Sequence, residues 1–440
     1  MSNTLMILLE FIVVLAAIFI GARKGGLGLG IFGGLGLAVL VFVFKLKPQN
    51  PPIDVMLMIV AVITAASTLQ AAEGIDYMVN IAEKLLRVYP PAITIVAPVV
   101  SYIFTIIAGT GHIAYALLPI ISEVATDAKV RPERPLSISV IASQQAITAS
   151  PISAATAALL SVIMVKNPEL RLTDILMISV PSTLVGVLVA AFVQMFIGVD
   201  LEKDPEYRKR IKEGLLEIKE KSKKTKVSSG AKLSVIIFLI SVIGIVVFGS
   251  IDGMKPTFNG VPMAMPHIIE ILMLAAAGCI IIFTKTSVEK IATSSIFSAG
   301  IQAVIAIFGI AWMGDTFFGG NLEFFKGLLT TMVTEYPWTF AIALFVMSIM
   351  LFSQAATVRA LMPLGVSLGI PIPSLIAMFP AVNGYFFIPN YPTIVAAINF
   401  DRTGTTRIGK YVINHSFQLP GFIATLVAVS VGFGLAYLIF

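Results

Sequence analysis

Four stretches of this chain set small polar residues, glycine and proline in the middle of otherwise apolar runs, and these residues could do chemistry. The first holds Gly109, Thr110, Gly111 and His112; the second holds Gln144, Thr148, Ser150 and Ser153 around Pro151. The third holds Ser353, Gln354, Thr357 and Arg359 before Pro363; the fourth holds Asn383, Tyr385, Asn390 and Thr393 around Pro389 and Pro392. None of these groups pairs a nucleophile with a base, so the chemistry they suit is recognition. Hydroxyls and amides supply neutral hydrogen bonds. A half-helix that starts at a break aims free N–H groups and roughly half a positive charge at whatever lies there, an arrangement suited to a small anion. Arg359 could clamp a carboxylate through two parallel hydrogen bonds, or could equally snorkel or pair with an acid such as Asp315. His112 could bond a carboxylate or take up a proton, or lock its tip as a neutral ring. Taken singly, each serine, threonine or proline has a structural reading as a kink or a back-bonded hydroxyl. Their recurrence at matching places in two halves favours a shared binding site.

Other motifs fall away. Gly28, Gly30 and Gly33 satisfy a dinucleotide fingerprint, but no strand precedes them and they sit in an apolar helix. Gly26, Gly30 and Gly34, at four-residue spacing, instead make a small-residue face for helix packing. His112, His267 and His415 lie in separate segments, and the single Cys279 excludes an internal disulfide or a thiolate cluster. Glu10, Glu270 and Asp315 could carry protons, with structural roles favoured. The chain therefore reads as no enzyme, with no cofactor and no metal site. An intramembrane lipid enzyme would need a nucleophile-base pair that is not visible. A sensor that binds a small anion and signals through a charged loop is a separate alternative.

The elements that must position these residues follow from hydropathy. With 57% hydrophobic and 12% charged residues, most of the chain needs lipid as its solvent. The predicted fold is an all-α polytopic membrane protein of about ten transmembrane helices plus two re-entrant helical hairpins. The most hydrophilic stretch, 200–232, carries eleven Lys or Arg against seven Asp or Glu and divides two apolar halves. By the positive-inside rule it is cytoplasmic. Its simplest role is a solvated helix that fixes topology, with contact to anionic lipid or a regulatory partner as the alternative. The formal charge of +6 lies mainly in loops, so no nucleic-acid partner is expected. The first half (1–199) is expected to contain spans 5–22, 27–44 and 53–72, hairpin 91–125, and spans 136–164 and 172–198. The second (233–440) has spans 233–250, 266–284 and 293–318, hairpin 338–369, and spans 374–399 and 413–440. Reading 91–125 and 338–369 as hairpins puts nearly all the basic loops inside and both termini outside. It also makes the halves inverted repeats. A weak echo agrees: Tyr89-Pro90 and Tyr336-Pro337 each open a hairpin, and 109–119 aligns without gaps on 353–363, matching only Ala, Leu and Pro.

The strings Gly21-Ala22-Arg23-Lys24-Gly25-Gly26, Gly109-Thr110-Gly111-His112 and Arg131-Pro132-Glu133-Arg134-Pro135 resemble the anaerobic four-carbon dicarboxylate transporter (Dcu) family. So do Phe400-Asp401-Arg402-Thr403-Gly404-Thr405-Thr406-Arg407-Ile408-Gly409-Lys410 and the following Val412 to Phe417. The resemblance covers about residue 5 to residue 440 and is weakest in the charged loop. It implies exchange of fumarate, malate or aspartate against succinate across the cytoplasmic (inner) membrane of an anaerobically growing bacterium, without a cofactor. The family is similar to a wider ion-transporter superfamily with a scaffold part and a transport part, usually homodimers moving in elevator fashion. Arg359 departs from the small residue expected in the Ser-Gln-Ala-Ala string. Cation-coupled transport of another small anion is the alternative. For strict exchange, the expectation is that an unloaded site rich in unpaired donors resists crossing the membrane empty.

Overall fold

The computed structural model describes residues 3–24, 27–51, 53–167, 169–214, 228–251, 253–321, 324, 336–351, 353–389, 391–409 and 414–440. The apolar runs form helices, because in hydrocarbon a segment must pair its own N–H and C=O groups. The first half runs α1 (Asn3–Lys24), α2 (Gly28–Phe42), α3 (Ile53–Ala71), α4 (Gly74–Leu86), α5 (Ile93–Ala108), α6 (Ala114–Asp127), α7 (Glu133–Ile147), α8 (Ala154–Met164) and α9 (Leu172–Gln194). A short α10 (Pro205–Lys212) follows in the charged stretch. The second half runs α11 (Ser229–Ser250), α12 (Met265–Thr284), α13 (Val288–Ala292), α14 (Ser295–Gly320), α15 (Thr339–Leu351), α16 (Gln354–Ser367), α17 (Ile372–Met378), a 3-10 stretch (Phe379–Phe386), α18 (Pro392–Phe400) and α19 (Gln418–Ile439). Two-residue strands β1 (Thr257–Phe258) and β2 (Val261–Pro262) pair between α11 and α12. Six helices, α1, α5, α9, α11, α12 and α19, are long and apolar enough to cross a membrane, by length and composition among the described residues. The chain is a multi-pass membrane protein.

Packing repeats between the halves. Helix α2 packs on α1 and α14, and its counterpart α12 packs on α11 and α3. Helix α7 lies against α5 and α9, as the 3-10 stretch and α17 lie against α15 and α19. The contact of α6 with α18 mirrors that of α16 with α8, and α9 pairs with α19. Both pairs α5/α6 and α15/α16 return to the face where they began. Arg87, ahead of α5, lies 2.7 Å from Glu123 near the end of α6, and a Cβ at Gly365 near the end of α16 would sit 2.9 Å from Phe340 at the start of α15.

Their mouths open on opposite faces. Ser122 donates to the Phe400 carbonyl beside the loop between α18 and α19. Lys166, past the far end of α8, reaches the Val366 carbonyl at the other mouth. The two tips differ in build. Gly109 ends α5 at φ 68 and a 3-10 turn, Gly111–Ile113, precedes α6, whereas Ser353 caps α16 directly.

Two bodies emerge: α1–α4 with α11–α14, and α5–α9 with α15–α19. They meet chiefly where α14 faces α16, α3 faces α8, and α4 faces α5 and α6. Within the first body α2 and α14 approach backbone to backbone. A Cβ at Gly33 would lie 2.5 Å from the Gly309 carbonyl carbon, and one at Gly309 would lie 1.9 Å from the Gly30 oxygen. Only glycine fits there. In lipid, where close packing rather than water exclusion joins helices, such a seam is a major source of cohesion.

At the face carrying the charged stretch, the strings around Arg131 and Asp401 build an ion network. Arg131 is buried and bridges Glu133 at 2.6 Å and Asp204 at 2.5 Å. Asp204 also caps α10 by accepting from the N–H groups of Glu206 and Tyr207. Glu133 accepts from the Ser416 hydroxyl at 2.6 Å, and its N–H donates to Thr405. Asp401, equally buried, folds its own loop by accepting from Thr403 and Thr405 and from the Thr406 N–H. Burial alone would raise the Asp204 carboxyl, but the Tyr207 N–H and Arg131 outweigh it and hold the group below the ordinary aspartate range.

Two predictions follow from these contacts. Gly309→Leu should destabilise the protein by about 1–3 kcal/mol or prevent its folding, read as a lower melting point and lost monodispersity. Asp204→Asn keeps the helix cap but leaves Arg131 with Glu133 as its remaining carboxylate partner, and should cost about 2 kcal/mol at neutral pH, the scale of one hydrogen bond to a charged group. Because the folded Asp204 carboxyl is depressed, its contribution is present above about pH 4 and is lost as pH falls further. The wild type should thus lose more stability than the variant on acidification, as read by melting point against pH.

Candidate functional site

The breaks in the second body converge. Gln354, the first residue of α16, donates through Nε2 to Asn383 Oδ1 at 3.1 Å and to the Tyr385 hydroxyl, with Gln144 Oε1 at 3.5 Å. Tyr385 donates to Gln144 Oε1, and Gln144 donates to the Thr393 hydroxyl at 3.1 Å. Thr393 lies in the first turn of α18, so two half-helices, α16 and α18, present their N-termini to this cluster. Gly111, just ahead of α6, is close as well: a Cβ there would sit 3.4 Å from Gln144 Oε1. The second hairpin tip and both broken helices therefore contribute to one buried group of amides, a phenol and a hydroxyl, and the first tip lies beside it. In this conformation Gln144, Asn383, Tyr385 and Tyr391 close on one another and leave no water-sized space. The rings of Tyr385 and Tyr391 lie 4.4 Å apart.

Other expected residues are used differently. Thr148 donates to the Gln145 carbonyl and Thr357 to the Ser353 carbonyl. Ser153 caps α8 by accepting from the Thr156 N–H, and Ser353 caps α16 through Ala356. Ser150 ties the α7–α8 break to the Ile106 carbonyl of α5. These hydroxyls hold the broken backbone in shape. Gly109 and Thr110 line an apolar cavity of about 120 Å³ between the two bodies, with Ile63, Ile152 and Gly300. Arg359 lies one and a half turns beyond Gln354 and reaches across the boundary to Asp315 of α14 at 3.9 Å, with Ser161 of α8 at 3.5 Å. Of the alternatives for Arg359, the structure shows the Asp315 pair. Asn390 and the side chain of His112 lie outside the described residues.

Two participants escaped the sequence reading. Gln145 accepts from Asn383 Nδ2 at 3.1 Å and donates to Thr425 of α19 at 3.0 Å. The signal for Gln145 was present, since it adjoins Gln144 in the same polar string. Thr425 gave none, as a single threonine in an apolar span. The expectation of unpaired donors in the unloaded site is not met. Amides carry donor and acceptor on one group, so a cluster of them can satisfy itself.

This architecture is matched by known proteins. A family model described as "Anaerobic c4-dicarboxylate membrane transporter" matches residues 6–440. The chain belongs to that family. Curated relatives agree: a protein named C4-dicarboxylate transporter DcuA from Escherichia coli strain K12 is 45% identical over 430 residues, covering 97% of this chain and 98% of the relative. One named anaerobic C4-dicarboxylate transporter DcuB from Escherichia coli O6:H1 is 43% identical over 434 residues, covering 97% of each. A DcuA from Wolinella succinogenes is 42% identical over 429 residues, covering 97% and 98%. Among solved structures, the Alcanivorax borkumensis YdaH transporter shares the fold, with a TM-score of 0.58 at 12% identity over 94% of this chain and 98% of that one. As a member of the C4-dicarboxylate transporter family, the chain is a transporter rather than an enzyme. Replacing the central amide, Gln354→Leu, should lower dicarboxylate uptake at least about tenfold while the purified protein stays folded, as checked by vesicle uptake alongside gel filtration.

Proposed function

We propose that this protein moves four-carbon dicarboxylates across the cytoplasmic membrane by exposing the amide cluster alternately to the two sides, exchanging fumarate, malate or aspartate against succinate. The observation that carries this reading is the meeting of the second hairpin tip and both broken helices at Gln144, Gln354, Asn383, Tyr385 and Thr393, with Gly111 of the first tip beside Gln144. Neutral donors and helix N-termini there can take the place of water around two carboxylates. Access alternates as the body holding the cluster slides against the other body. The apolar cavity at that boundary, lined by Ile63, Ile152 and Gly300, supports such an elevator movement. The face bearing 200–232 is cytoplasmic and both termini are outside, in keeping with its basic loops. A homodimer and a regulatory contact at 200–232 complete the proposal; residues 215–227 lie outside the described residues.

One observation favours a second reading. A cluster that pairs its own donors does not oppose an empty return, so the same site suits net uptake or efflux, with or without a coupled cation. Vesicles decide between the two. Uptake of labelled fumarate only into succinate-loaded vesicles is the result expected for exchange. Equal uptake into empty vesicles would remove obligatory exchange, and stimulation by an imposed sodium or proton gradient would reveal coupling.

A further inference from the structure

Amide oxygens and nitrogens are nearly isosteric, so a cluster of amides could in principle be hydrogen-bonded in several polarities. One contact removes the ambiguity. The Pro380 carbonyl can only accept, and it lies 3.1 Å from the Asn383 amide, whose nitrogen must therefore face it. Asn383 then presents that same nitrogen to Gln145, which has to answer with its oxygen. This leaves the Gln145 nitrogen for the Thr425 hydroxyl. On its other side Asn383 shows a carbonyl oxygen, so Gln354 must meet it with nitrogen. Tyr385 accepts from that nitrogen and passes its own proton to the Gln144 oxygen, and the Gln144 nitrogen turns to Thr393.

We propose that Gln145, anchored by Thr425, is a positioning residue that locks Asn383 with its carbonyl oxygen toward the solute. The site thereby selects dicarboxylates bearing a hydrogen-bond donor, an ammonium or a hydroxyl, on the carbon next to a carboxylate. The proposal rests on the reading that this cluster takes the dicarboxylate. Ionised carboxylates only accept, so an incoming solute whose carboxylate takes both hydrogens of the Gln354 nitrogen, from Asn383 and from Tyr385, removes the partner of Asn383 Oδ1. Asn383 cannot answer by turning over, because Pro380 and Gln145 hold its nitrogen. Its buried oxygen is left unpaired unless the solute brings a donor, and a site built around such a group discriminates against analogues that lack it. Aspartate and malate bring one; succinate and fumarate do not.

The test is the KM for each of these four solutes in vesicles containing the purified protein. The wild type is expected to show KM values for aspartate and malate about tenfold below those for succinate and fumarate, the scale set by one unpaired buried acceptor. Gln145→Leu leaves Pro380 as the one remaining hold on the Asn383 nitrogen and should shrink that ratio, lowering KM for succinate and fumarate, which no longer strand the oxygen, and raising it for the donor-bearing pair. Thr425→Val removes only the outer anchor, should shift the ratio the same way by less, and keeps the test open if Gln145→Leu does not fold; Thr425→Ser should restore it. A wild type without preference, or variants that change all four KM values by one factor, would overturn the assignment. A wild type that takes up none of the four overturns the transport reading itself, and this inference with it.

Discussion

A polar group placed at membrane depth has to find its partner inside the protein, and this constraint organises the chain from its helix boundaries to its site. Lipid offers no hydrogen bonds, so each interruption of a helix exposes backbone groups that cost several kcal/mol if left alone. The breaks at Gly109–Ile113, around Ser150–Ser153, at Ser353 and around Tyr385–Tyr391 survive because they are gathered in one body and answer one another. Ser150 reaches the Ile106 carbonyl, Ser153 and Ser353 cap the helices that restart, and the Gly384 N–H is taken by Ser348 of α15. The recognition groups stand on backbone that these smaller bonds have already stabilised.

The inverted repeat shapes this gathering without making it symmetrical. Counterpart helices pack alike, and the hairpins open on opposite faces. Yet the first half gives the cluster Gln144 and Gln145 from the end of α7, whereas the second gives Gln354, Asn383, Tyr385, Thr393 and Thr425 from four different elements. Counterpart helices thus form a near-symmetric scaffold around an asymmetric lining, which fixes one orientation for whatever the cluster holds.

Much of this was legible in the sequence, and the parts that were not share a cause. Hydropathy located the helices, and proline and glycine located the breaks, because both signals are local. The opposed hairpins followed from loop charge. Ser153 with Thr156, three residues on, is a capping pattern that local rules could have separated from a ligand, but it was counted among the site residues with Ser353. Partner choice was out of reach: nothing local tells whether Arg359 turns to a carboxylate solute or to Asp315, which lies 44 positions earlier on another helix. The most recognisable strings, around Arg131 and Asp401, turned out to brace the charged face and not the solute cluster. The polar partners of Arg131 and Glu133, namely Asp204, Thr405 and Ser416, lie far away in sequence.

Neutral amides suit a carrier in a way that an arginine clamp does not. A guanidinium left without its anion in a dry site would keep its full charge, and breaking such a buried pair costs about 3–5 kcal/mol. The protein would then have to supply a counter-charge for every unloaded state. Amides and hydroxyls carry donors and acceptors together, so Gln354, Asn383, Tyr385 and Gln144 can close on one another when the solute leaves and reopen when it returns. The one arginine in the hairpins instead faces Asp315 on the opposing body in this conformation. Charge is thus placed at the boundary between the two bodies, and the amide cluster itself is left electrically neutral. Its affinity then rests on helix N-termini and on the fixed polarity of its hydrogen bonds.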